Sequence, residues 1–125
     1  MSREKIAETA RNFESFHGEI TYDQMKCNQF VLAVLREAVD PKFPDLRADD
    51  FPASGRFAKV ESPLRGDLVH WPGHPGHIGI VLDPNRFEFI GSQDSTGVAA
   101  ASYSKGYWNG AYGGKRPDCF LRYLE

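Results

Sequence analysis

The sequence predicts an α+β fold, and three observations carry that prediction. Apolar residues recur at helical spacing in two stretches of the first 40 residues. Beyond residue 65 the pattern changes to short apolar or alternating runs separated by Gly, Pro, Asp and Asn. The helical stretches come first and the strand-like runs follow, an order that favours helices segregated from an antiparallel sheet over alternating βαβ units. At 125 residues the chain is long enough for one core, so residues 1–125 are expected to form a single domain.

The elements follow in order. Ser2 can cap a helix whose apolar positions Ile6, Ala10 and Phe13 fall on one face, with Glu4 in the first turn suiting the helix dipole. Gly18, after His17, is its expected stop. A second helix begins near Cys27, with Cys27, Val31, Val34 and Ala38 along one stripe and Phe30 and Leu35 widening it. Asp40-Pro41 ends it, because the residue before a proline avoids the helical region. Residues 40–65 hold four of the eight prolines and read as a long connection with a short helix near "DLRADDF". Then "GDLVHW" and "HIGIVL" read as strands, "DPN" as a turn and "RFEFIGS" as the returning strand. "TGVAAASYS" reads as a further strand or edge, "YWNGAYGGK" as a loop of glycines and aromatics, and "PDCFLRYLE" as the closing strand.

Composition excludes several classes. A formal charge of -2 gives no long-range attraction to nucleic acid or to an anionic membrane, so neither is an expected partner. No run approaches the roughly 20 apolar residues of a membrane span. The start, "MSREKIAETARNF", is too polar for a secretory signal, so the chain is expected to be made in the cytoplasm. Two cysteines, Cys27 and Cys119, fit neither a zinc-knuckle spacing nor a disulfide-rich framework, although pairing with each other stays open.

The chemistry starts from "KCNQFVLAVLREAV", residues 26–39. A cysteine opening a helix sits where free backbone N–H groups and the dipole favour negative charge, which lowers a thiol pKa toward neutrality. The competing reading is a small apolar residue filling a helix face, and the helix alone gives the two equal weight. In "GDLVHWPGHPGHIGIVL", residues 66–82, His77 opens an apolar strand after a Pro-Gly turn. A thiolate enzyme needs an imidazole within hydrogen-bond reach on a rigid element, and that position offers one.

Taken together, "KCNQFV", "GDLVHW" and "GHIGIVL" resemble the NlpC/P60 group of papain-like cysteine peptidases and amidases. The resemblance spans roughly residues 20–100. It implies a papain-like fold with the helices packed on a central antiparallel sheet. By position Cys27 is then the nucleophile and His77 the general base, with no cofactor and no metal. The commoner pattern at the nucleophile is Asp-Cys-Ser-Gly, and Lys26-Cys27-Asn28-Gln29 departs from it in the manner of small amidase toxins, including secreted antibacterial effectors. The implied substrate is a stem peptide of bacterial peptidoglycan, the implied place of action the periplasm or cell wall after delivery, and an inhibitory immunity protein is expected by analogy. Two rivals use the same residues: a papain-like thiol hydrolase or acyltransferase on another amide or a lipid ester, and a non-catalytic binding module with a structural Cys27.

The remaining site residues are read individually. The resemblance implies that the backbone N–H of Cys27 is one oxyanion donor, and Tyr22 is either a second donor or an aromatic packing before the helix. A third residue should orient His77. If position 82 pairs with 87 across the "DPNR" turn, His77 lies opposite Ser92, and Ser92 or its backbone carbonyl is the first choice; a one-residue bulge would substitute Gln93 or Gly91. His70, His74 and His77, with Cys27, have the density of a zinc site. However, Pro72, Gly73, Pro75 and Gly76 forbid the helix that would align the imidazoles, so His74 is expected at the cleft mouth instead. Asp67 reads as a turn former, Trp71 as a groove wall, Tyr107-Trp108 as either groove or core, and Cys119 as a buried core residue.

Overall fold

The structure, a computed structural model, describes residues 2–16, 19–73 and 75–125, with the side chain of Phe16 set aside. His17, Gly18 and His74 lie outside the described residues, and with them the expected helix stop and the expected cleft-mouth histidine.

Helix α1 runs Ser2–Asn12 and continues as a 3₁₀ turn over Phe13–Phe16. Ile6, Ala7 and Ala10 bury its inner face. Helix α2, Cys27–Ala38, buries Cys27, Phe30, Val31, Leu32, Val34 and Leu35. Phe13 meets Phe30 edge-on at 5.3 Å, joining the two helices. Gln29 accepts the Lys26 N–H at 2.8 Å, so the third residue of α2 caps its own start. The predicted short helix near residue 49 is a 3₁₀ turn, Ala48–Asp50.

Six strands form one antiparallel sheet: β1 Phe57–Val60, β2 Leu68–Trp71, β3 His77–Asp83, β4 Glu88–Gln93, β5 Gly97–Ser102 and β6 Cys119–Tyr123. Their order is β1-β6-β2-β3-β4-β5, so β2 to β5 are the expected meander. Two features differ from the sequence reading. β1 lies inside the stretch read as a connection, where four residues between prolines give too short a period to detect. The closing strand β6 does not follow β5 but returns across the sheet to pair with both β1 and β2. That return is fixed by a part-buried ion pair: Arg122 on β6 grips Asp67 with two hydrogen bonds of 2.9 and 2.7 Å. Asp67 also accepts the Leu64 N–H at 2.7 Å, the turn role expected of it.

The sheet has a different core on each face. Leu68, Ile78, Ile80, Leu82, Ile90, Val98 and Leu121 meet α1, α2 and the connecting segment through Phe43 and Phe51. Val69, Trp71, Val81, Phe89 and Tyr103 face the other way; Phe120 of β6 packs beside them and Trp108 covers them. Alternation along each strand produces this division. Among the described residues no helix is long and apolar enough to cross a membrane.

Candidate active site

The site forms where the start of α2 meets the start of β3. Cys27 is the first residue of α2 and is 4% exposed. Backbone N–H groups of Ile78, Asn28 and Cys27 itself point at the sulfur and favour its anionic form. Burial acts more strongly in the opposite direction, and the charge of Asp49 adds to it, so the thiol pKa is raised. This corrects the expectation of a depressed thiol: the helix terminus supplies the donors, but desolvation outweighs them.

His77 opens β3, next to the residue whose amide meets the sulfur. Its ring is buried on the opposite face of the sheet from Ile78, against Trp71 at 5.1 Å and stacked on Trp108 at 4.2 Å and 16°. Burial is the main cause that drives its pKa down to about 3; the Gln93 side chain beside it acts the other way, and the charge of Lys115 pushes with burial. The resting site therefore holds a neutral thiol and a neutral imidazole.

The third residue turns on register. Ile80 pairs with Ile90 and Val81 with Phe89, and the pairing shifts between Val81 and Asp83, so a bulge sits beside the turn. Carried to the start of β3, this register sets His77 opposite Gln93 and Ile78 opposite Ser92. The hairpin arithmetic that favoured Ser92 is thereby corrected by one residue, and a slip of one residue changes the face. Ser92 lies on the helix side, where its hydroxyl donates to the carbonyl of Met25, two residues before Cys27. It fastens the entry to α2 and does not meet the histidine.

Gln93 has the position that Ser92 lacks. Its amide Nε2 donates to the Ala99 carbonyl at 3.1 Å, which turns Oε1 the other way. Gln93 Oε1 and His77 Nε2 are both buried without a hydrogen-bond partner. Both crowd the same spot, since a Cβ built on Gly91 would lie 2.6 Å from Oε1 and 3.5 Å from Nε2. An acceptor and a ring nitrogen orphaned side by side complete each other when Nε2 carries the proton. Nδ1, the ring nitrogen closer to its own backbone, is then the proton acceptor of the two. Gly91 serves by having no side chain.

Tyr22 is brought to the same place. Thr21 and Gln24 bond each other across the turn that carries it, at 3.0 and 3.3 Å. Burial, and after it the charges of Cys27 once ionised, Asp94 and Asp23, push its phenol pKa up. Trp71 is not a groove wall: it is fully buried beneath His77, and its indole N–H donates to the Trp108 carbonyl at 2.8 Å. Trp108, half-buried, was legible only as an aromatic in a glycine-rich loop; its stacking on His77 comes from tertiary contact. His70 is on the helix face, opposite Ile78 and Cys119, and so on the other side of the sheet from His77. It is engaged by Asp118 at 2.6 Å, and its own neighbours Asp118 and Cys119 are the one group of metal-ligand type among the described residues. Cys27 and Cys119 are both free thiols, and Cys119 is half-buried, more open than a core residue.

Among curated proteins no sequence matches this chain. The sequence profile of the NlpC/P60 family, whose members are generally cysteine peptidases and amidases, matches residues 14–117. That span contains α2, the first five strands and Tyr22, Cys27, His77, Gln93 and Trp108, and with a cysteine opening the helix and a histidine opening the apposed strand, the chain belongs to the NlpC/P60 family.

Proposed function

We propose that the protein is a cysteine hydrolase of amide bonds, with Cys27 as nucleophile, His77 as base and Gln93 as the residue that holds the histidine. The observation that carries this reading is the buried orphan pair of Gln93 Oε1 and His77 Nε2 beside Gly91, one strand residue from the amide that meets the Cys27 sulfur. A purely structural histidine in an aromatic box has no use for a glutamine aimed at its far nitrogen.

The chemistry follows from the neutral pair. As the sulfur attacks a carbonyl carbon, its proton passes to His77 Nδ1, and Gln93 Oε1 accepts the Nε2–H and stabilises the imidazolium. The oxyanion is met by the Cys27 N–H and the Tyr22 hydroxyl. Collapse breaks the carbon–nitrogen bond, the amine departs with the proton from His77, and water hydrolyses the thioester with His77 again as base. Ser92 supports the geometry through Met25.

The substrate we infer is a stem peptide of bacterial peptidoglycan, acted on in the periplasm or cell wall after delivery. An inhibitory immunity protein is the partner this reading predicts. Incubation with purified peptidoglycan is expected to release new amino termini, detected by amine labelling and mass spectrometry of the fragments. Cys27→Ala is expected to release none. An inert wild type, on sacculi and on acyl-peptide substrates alike, would remove the hydrolase and leave Cys27 structural.

A further inference from the structure

We propose that a cavity beside His77 takes a primary ammonium group, with Asp94 as its counter-charge. The inference rests on the hydrolase reading for its meaning as a substrate subsite. The cavity measures about 380 Å³ and is lined by Asp94, Ser95, Tyr107 and Trp108. Its connection to the site is direct. The Trp108 indole that forms its wall stacks on the His77 ring, and Asp94 follows Gln93 in the turn that joins β4 to β5.

The chemistry of the walls selects the ligand. Tyr107 and Trp108 stand at 87° to each other with centroids 4.8 Å apart, making a corner of two aromatic surfaces. Tyr107 is 46% exposed, so that corner is open. Asp94 is exposed and enters no hydrogen bond or ion pair among the described residues. An anion would be repelled there, and a neutral apolar group would strip water from an unpaired carboxylate. A compact cation gains on both counts, from the carboxylate and from the ring faces. Ser95 adds a hydroxyl acceptor for one of the three ammonium protons. A substrate bearing a free amino group is thus the class this corner would select.

The test uses Cys27→Ala protein, titrated with n-butylammonium chloride and, separately, with n-butanol at matched ionic strength. Backbone amide shifts of Asp94, Ser95 and Trp108 and the indole fluorescence report binding. The ammonium compound is expected to move these three signals and to bind about tenfold more tightly than the alcohol. Asp94→Asn is expected to abolish that preference and Asp94→Glu to keep it. Equal affinity for the two compounds, shifts elsewhere only, or a preference retained in Asp94→Asn would overturn the proposal. Because nothing is hydrolysed in this measurement, the two readings fail separately. Ammonium selectivity with inert peptidoglycan sinks the hydrolase, and active peptidoglycan cleavage without selectivity sinks the subsite.

Discussion

Two buried groups with opposite displacements define the residue scale. Cys27 is raised and His77 lowered, in both cases mainly by loss of water, so neither is charged at neutral pH. This has a consequence for stability. Folded His77 takes a proton only near pH 3, whereas the unfolded imidazole does so near 6.5. Between these values the unfolded state binds more protons, so stability falls as pH drops through that window. Urea midpoints measured from about pH 7 down to about pH 4 are expected to decline more steeply in the wild type than in His77→Phe, which lacks the titrating group. Parallel declines would show that the imidazole is already hydrated. Gly91 supplies a second prediction. A methyl group there overlaps the end of the Gln93 side chain, a flexible atom, at 2.6 Å. Gly91→Ala is therefore expected to fold but to push Oε1 off His77. Peptidoglycan cleavage should then fall about 10²-fold, the scale of an ångström-sized misplacement, with kcat and not KM carrying the loss.

At the scale of elements, the site depends on three joints. Ser92 holds the approach to α2 on β4, Asn28 ties its first turn to the Leu46 carbonyl at 3.0 Å, and Asp67 with Arg122 keeps β6 against β2. The last is the most exposed to mutation, since Asp67 is fully buried while Arg122 is partly open. Asp67→Ala leaves the guanidinium and the Leu64 N–H without an acceptor, and is expected to cost about 3–5 kcal/mol in denaturant unfolding. A loss below about 1 kcal/mol would mean that water replaces the carboxylate. These joints also explain which parts of the architecture were readable from sequence. α2 and the strands from β2 to β5 announce themselves by period, because each buries one face or both. Asp67 was legible as a turn former but not as an anchor, since its partner is 55 residues away. Cys27 and His77 were legible because each opens an element. Gln93 was legible only as an alternative, because the bulge that sets its register arises at a four-residue turn in which Phe87 adopts a positive φ of 56°. That conformation is uncommon for a phenylalanine and nothing local in the sequence specifies it.

Across the whole molecule, the sheet is protected unequally. Two helices and a long segment cover one face, whereas residues 103–118 cover the other with few regular hydrogen bonds. The thiol belongs to the thick side and the imidazole to the thin side, so catalysis requires both covers at the shared strand end. Trp108 is the critical piece of the thin cover. It stacks on His77, meets Trp71 at 5.1 Å and anchors its own carbonyl on the Trp71 indole N–H. Removing it should do two separable things. Lost packing is expected to lower stability by about 2–3 kcal/mol, below the usual cost for a fully buried tryptophan because this one is half-buried. Admitted water is expected to raise the His77 pKa from about 3 back toward 6.5. The base would then be protonated in mildly acidic solution, and kcat/KM for Trp108→Ala should acquire a falling limb between about pH 6 and 5 that the wild type lacks. Imidazole proton titration by NMR checks the same shift without turnover. A destabilised variant whose imidazole still titrates near pH 3 would assign the burial of His77 to Trp71 and Phe89 beneath it, and would make the loop a packing element only.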